Sequence, residues 1–424
     1  MSQTTGIDFK KSGIDSLIAG FLALILFGPI VGVLLNGYDF TAEFDRVAWM
    51  VAIVALGRFV ISCFFQTEKG VALSFKYANH DEGVKVLSPD HKSKMIWIIP
   101  LVIAIGLLVP FIASKYVLTV IILGLIYVLL GLGLNVVVGL AGLLDLGFVG
   151  FYAIGAYGLA LGYENLGLGF WSMLPIAAIL AAIAGAILGF PVLRMHGDYL
   201  AIVTLGFGEI IRLVLTNWAS FTHGPNGVSA PLPTLFGLEF KRRSRDGETF
   251  HEFFSLPYDS AYKYMFIYLV LFAVVWAVLF IKHRLVKMPI GRAWEALRED
   301  EIACRSLGLN HVLVKLSAFM LGASTGGLAG VFFATYQGFV NPSSFTFFES
   351  ALILAIVVLG GMGSTLGVVI AAFCLTVLPE ILREFAEYRV LMFGILMVVM
   401  MIWKPRGIVR VTRTGFSARK GVVK

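Results

Sequence analysis

Apolar runs long enough to cross a lipid bilayer recur along this chain, and no other feature restricts its fold so tightly. A hydrocarbon core takes about 20 apolar residues of helix, and backbone polar groups inside it must be satisfied without water. Such runs fall at 17–35, 47–65, 95–112, 117–139, 147–162, 172–190, 200–217, 264–281, 313–335 and 389–403, with a broken one at 350–378. The expectation is an all-α, polytopic integral membrane helix bundle with about 11 transmembrane segments, some short or broken. Composition agrees, since 58% hydrophobic against 14% charged residues leaves too little polar surface to coat a soluble globule.

Basic residues orient the runs, because cytoplasmic loops concentrate lysine and arginine. The linker 66–94 holds Lys69, Lys76, Lys85, Lys92 and Lys94, an island holds Lys282, Arg284, Lys287, Arg292, Arg298 and Arg305, and the tail 404–424 is basic with no acid. All three are expected in the cytoplasm. The acidic loop 36–46 and the segment 218–263 then fall outside. The parity closes only if 350–378 makes two passes around Gly360, Gly361 and Gly363. The net charge of +7 is accounted for by headgroups and topology, so no nucleic-acid partner is implied.

Four segments follow from this: accessory helices in 1–65, a cytoplasmic linker at 66–94, a core at 95–403 and the tail. The run 17–35 exceeds a signal-peptide core and lacks a small-residue cleavage site, so it reads as a retained helix. In the core, Gly158/Gly162, Gly185/Gly189, Gly326/Gly330 and Gly363/Gly367 each stand four apart, which lets helix backbones approach closely. Cys63, Cys304 and Cys374 share no ligand or redox spacing, so neither metal, cofactor nor disulfide framework is implied.

The island between the runs 264–281 and 313–335 is heavily charged. Ala293, Ala296, Leu297, Ala303, Cys304 and Leu307 recur at helical spacing opposite Arg292, Glu295, Arg298, Glu299, Glu301 and Arg305, with Asp300 interrupting the stripe. An amphipathic helix held outside the bilayer points to a soluble partner docking there.

Enzymatic readings fare poorly. The chain has no G-x-x-x-x-G-K-[ST] phosphate loop, so ATP that drives it would be hydrolysed on another chain. Gly322-Ala323-Ser324-Thr325-Gly326 fits the G-x-S-x-G pattern, yet no histidine lies inside any run to serve as base, and helix packing explains the small residues better. Ionisable residues inside runs are functional suspects. Asp145 sits near a break between runs, and Glu209 precedes Arg212 by three positions, where the two can satisfy each other. Glycine breaks at 139–147 and 360–363, including Gly360 and Gly361, offer either unwound backbone facing a solute or ordinary turns.

The stretch from Gly291 through Trp294 and Glu295 to Gly308 and Leu309 closely resembles the cytoplasmic loop of LivM-type permeases of branched-chain amino acid ABC importers. So do Gly197 to Ile210, Gly224-Pro225-Asn226-Gly227 and Val358 to Ser364, collinearly over about Leu125 to Gly407. The resemblance implies a multi-pass bacterial inner-membrane subunit importing leucine, isoleucine or valine. It further implies a second, LivH-type permease, two cytoplasmic ABC ATPase subunits and a periplasmic binding protein as partners. The loop within 282–312 would then be the ATPase-coupling element. The general importer pattern, Glu-Ala-Ala, three residues, Gly, survives here in Ala303 and Gly308, with Glu301 displaced by one. The competing expectation is an ion-coupled secondary carrier; an intramembrane hydrolase ranks third.

Overall fold

The computed structural model describes residues 103–192, 198–235, 238–240, 249–253 and 259–381, with 33–36, 39–42, 51–52, 54–59, 407–409 and single positions 13, 16, 45, 48, 100, 195, 394 and 398. The chain divides into two units, Met1–Ser88 with Thr414–Lys424, and Pro89–Arg413. In the first, β1 (Val33–Asn36) pairs antiparallel with β2 (Asp39–Ala42). The run expected to stay helical to residue 35 therefore turns to strand by Val33; its remainder, the linker 66–94 and nearly all of 389–403 lie outside the described residues.

The second unit is a helix bundle. Its helices are α1 (Lys115–Leu134, continued as a π-helix over Asn135–Leu140), α2 (Val149–Leu166), α3 (Phe170–Val192), α4 (Asp198–Asn217) and α5 (Ala261–Lys287). They continue with α6 (Pro289–Glu299), α7 (Glu301–Ser306), α8 (His311–Gln337), α9 (Phe347–Gly360) and α10 (Thr365–Ile381). Among the described residues six segments are long and apolar enough to span a membrane, and Ile103–Ile112 and Thr365–Val377 are shorter apolar helices. The protein is thus a multi-pass, helical membrane protein.

Helix α8 forms the centre because its glycines admit neighbouring backbones. A Cβ at Gly327 would lie 2.7 Å from Ala177 O of α3, and one at Gly330 would lie 2.6 Å from Ala156 N of α2. In lipid, where apolar surface gains little by leaving the solvent, such close van der Waals packing replaces the hydrophobic drive. At one end Tyr152, Phe333 and Phe345 pack with ring centroids 5.1–5.9 Å apart. Beside them β3 (Val228–Ser229) pairs with β4 (Phe339–Val340). Gly227 (φ 70°) supports that pairing, since a Cβ there would stand 2.6 Å from the Phe339 ring.

The run 350–378 forms two helices, α9 and α10, joined by a turn at Gly361–Ser364. The buried Asn135 side chain holds that turn: its Oδ1 accepts from Gly363 N (2.7 Å) and its Nδ2 donates to Ser364 O (3.1 Å). Ile408 N and Val409 N donate to Leu359 O (2.8 Å) and Gly360 O (3.3 Å), capping carbonyls that the end of α9 leaves open. The turn and these tail residues therefore share one end of the bundle.

Candidate functional site

The charged island is built from that same end. Its first basic residues, Lys282, Arg284 and Lys287, belong to the last turns of α5, where cations suit the helix dipole. Pro289 opens α6 at a position that needs no N–H. The sequence expectation of one helix interrupted by Asp300 is corrected here. Asp300 separates two helices and caps the second, its Oδ1 accepting from Ile302 N (2.8 Å) and Ala303 N (3.0 Å). Gly308 (φ 81°) closes α7: its N–H bonds Arg305 O (3.0 Å), and Leu309 N bonds Cys304 O (3.1 Å). That 5→2 and 6→1 pairing needs a left-handed residue and explains the glycine.

The apolar stripe also differs from the expected one. Trp294, 2% exposed, is the anchor, and its Nε1 donates to Val314 O (3.1 Å) and Ser317 Oγ (3.0 Å) of α8. Leu297 and Cys304 are buried with it, Ala293 and Ala296 are half-buried, but Ala303 and Leu307 face outward. The reason is the break at Asp300, which resets the helical phase and turns Ile302 (77% exposed) and Leu307 (81% exposed) away from the bundle. Arg292 and Glu299 are exposed, and Glu295 and Arg298 are half-buried.

Two charged side chains, Arg298 and Glu301, tie this element to the bundle beside Trp294. Arg298 donates to Gly139 O at the end of the π-helix, and its stem lies on Gly142, where φ is 73°. Glu301 lies between Arg305 (2.6 Å) and Lys315 of α8 (2.8 Å), and the Lys315 side chain is only 3% exposed. Burial opposes ionisation of Glu301, but the hydrogen bonds and charges of Lys315 and Arg305 outweigh it and hold the carboxyl below its usual range.

Of the suspects inside runs, Glu209 and Arg212 pair at 2.8 Å near the middle of α4, each about one-third exposed. Gly206, one turn earlier, has open space where a Cβ would stand. Asp145 lies fully buried in the loop between the π-helix and α2. Its Oδ1 accepts from Gly147 N (2.8 Å), and its Oδ2 has no hydrogen-bond partner among the described residues. The same loop is held to α4 by Leu146 N donating to Thr204 Oγ1 (3.0 Å). Gly360 and Gly361 instead serve the α9–α10 turn: a Cβ at Gly360 would be 2.6 Å from Val368 N, and Gly361 has φ 101°. Ser324 donates to Leu321 O (2.7 Å) within α8. Among the described residues no cluster of His, Cys, Asp or Glu could hold a metal.

Sequence reasoning missed Trp294, Lys315 and Asn135 as organisers. Trp294 stands three positions before Leu297 on one helix face, a spacing that could have found it. Lys315 and Asn135 act through partners 14 and 228 or more residues away, which no local pattern records.

The family described as the permease component of branched-chain amino acid transport systems matches residues 116–403. A domain of unknown function matches residues 11–109. The high-affinity branched-chain amino acid transport system permease protein LivM of Escherichia coli (strain K12) is 56% identical over 336 residues, covering 78% of this chain and 79% of that protein. A probable LivM of Methanocaldococcus jannaschii is 26% identical over 254 residues, 55% of this chain and 66% of the relative. The LivH permease of E. coli (strain K12) is 26% identical over 306 residues, 68% of this chain and 92% of that protein. No solved structure matches the chain.

Proposed function

The chain belongs to the family of branched-chain amino acid transport permease components, and we propose on that premise that it imports leucine, isoleucine and valine as one membrane subunit of an ABC importer. A LivH-type permease completes the conduit in the bacterial inner membrane. Two cytoplasmic ATPases drive it, and a periplasmic protein delivers the solute to the face around 218–263. The accessory helices in 1–65 precede this core, and the linker 66–94 and the tail are cytoplasmic.

The observation that carries this reading is the α6–α7 element: bolted to the bundle by Trp294, yet leaving Ile302 and Leu307 exposed. Apolar side chains exposed on a charged, extramembrane helix pair mark a contact surface, and an ATPase groove is its occupant. Motion of the ATPases then reaches α8 through Trp294 and the π-helix of α1 through Arg298. The polar face of α4 supplies the path. A charge pair near mid-membrane and part-exposed is too costly to face lipid, so Glu209 and Arg212 border the conduit, with Gly206 leaving room for the solute. Asp145 braces the loop beside α4, and Gly360 and Gly361 form the turn that bears on Asn135.

Reconstitution of the complete complex tests the reading. Ile302→Asp with Leu307→Asp is expected to abolish ATP-driven leucine uptake while the permease remains folded in membranes; unchanged uptake overturns the docking role. Uphill uptake by this chain alone on an ion gradient would instead establish a secondary carrier.

A further inference from the structure

At the basic end a cavity of about 220 Å³ opens between the coupling element and the bundle. Its walls include Met195, Leu200 and Leu297 on the apolar side and Arg298, Glu301 and Lys315 on the charged side. At about 30 Å³ per water it has room for about seven, the scale of one small amino acid. We propose that this cavity is a cytosolic product-sensing site that takes a free amino acid with an apolar side chain, and that its occupancy slows ATP-driven turnover. The proposal rests on the importer reading above.

The chemistry of the walls selects the ligand. Arg298, Lys315 and Glu301 on the wall sum to one net positive charge, and Arg305, paired to Glu301 from outside the lining (2.6 Å), raises the local sum to two. An ammonium has three donors, and Lys315 Nζ spends one on Glu301 Oε2 (2.8 Å), with no further partner among the described residues. A carboxylate entering the cavity meets those remaining donors at a site where the cation is 3% exposed and charge attraction is weakly screened. Glu301, whose two oxygens already accept from Arg305 and Lys315, shares its carboxylate with the ligand's ammonium through a further lone pair, and Met195, Leu200 and Leu297 receive its aliphatic end. A simple inorganic anion would leave that apolar wall unused.

The position of the walls supplies the consequence. Leu297 and Arg298 belong to α6, Glu301 to α7, Lys315 to α8 and Leu200 to α4, so one ligand bridges the coupling element to two helices of the bundle. A ligand stabilises whichever arrangement it binds better. Here it favours the arrangement in which α6 and α7 stay seated, and it opposes the displacement the ATPases impose. Accumulated product thereby restrains its own import.

The test uses the whole complex in proteoliposomes with the ATPases facing outward and the binding protein with leucine in the lumen. Leucine added outside, at the cytosolic face, is expected to slow ATP hydrolysis about fivefold, within the usual range of coupling between sites, whereas acetate and phosphate leave it unchanged. Met195→Trp, which fills the cavity without touching its ion pairs, removes the slowing, and Lys315→Met does the same if it folds. Transport that proceeds at full rate in the presence of external leucine overturns the sensing site while the importer reading stands. Equal slowing by acetate shows a general anion effect and overturns the amino-acid assignment, as does slowing that survives Met195→Trp. Absence of any ATP-driven transport overturns the importer reading and this inference with it.

Discussion

Helices α8 and α4 both have the length and hydropathy of membrane spans, yet 67% of the most apolar window in α8 is buried inside the protein against 28% in α4. The difference lies in what each does with its small and polar residues. Gly322, Gly327 and Gly330 of α8 face neighbouring backbones at contact distance, while hydroxyls fold back onto their own helix in both, as Ser324 does in α8 and Thr204 in α4. On α4, Gly206 faces open space and the charged pair Glu209–Arg212 stands part-exposed. Helix α4 packs Gly208 against the Gly147 backbone, 3.1 Å from where a Cβ would stand, but leaves Gly206 vacant. An apolar run can therefore be scaffold or working surface, and hydropathy does not distinguish the two.

The largest effect that would break this contrast is Gly327→Leu. Its side chain has nowhere to go between Ala177 and Ala181, and because the obstructing atoms include backbone, the cost is expected to exceed the roughly 1–3 kcal/mol of ordinary overpacking. Little monodisperse protein should survive detergent extraction and size-exclusion chromatography; a normal yield would show that α8 is not the packing centre. Trp294→Ala comes next. It removes a buried ring and two hydrogen bonds, a loss of about 3–5 kcal/mol for a core aromatic, concentrated at the α6–α8 contact. ATP hydrolysis by the assembled complex should lose its response to the loaded binding protein, and a wild-type response would show that Trp294 transmits nothing.

Smaller effects sharpen the other side of the comparison. Glu209→Gln should lower leucine uptake about tenfold, equivalent to about 1.4 kcal/mol, with expression intact. Gly206→Leu should likewise reduce uptake without loss of folded protein, the reverse of Gly327→Leu. Uptake by both variants at the wild-type rate would return the α4 face to lipid or to a subunit contact. Smallest is Ser324→Ala, expected to stay within about 0.5 kcal/mol in stability and to leave uptake unchanged. Loss of uptake in folded Ser324→Ala would reopen a chemical role for this serine.

Much of this was legible in the sequence. Hydropathy located α1 to α5 and α8 to within about six residues at each end, and the run 350–378 was read as a pair of helices parted at Gly360 to Gly363, where α9 gives way to α10. The Glu209–Arg212 pair was legible too, because three positions on a helix bring side chains together whatever surrounds them. The island was recognised as an amphipathic element, but the placement of its faces was not. Asp300 looked like a flaw in one stripe, whereas its side chain starts a new helix and sends Leu307 outward. Local periodicity carries no sign of such a phase change.

The sequence by itself determined that this chain lies in a membrane, where its apolar helices fall, and which charged segment between them is amphipathic. Those are consequences of transfer free energy and charge, properties that each residue carries locally. Only the tertiary structure decided which glycines pack and which stand open, that Trp294 is the anchor, and that Lys315 and Glu301 meet beside a cavity. These depend on contacts between distant segments, and residues far apart in a chain leave no joint pattern in it until folding brings them together.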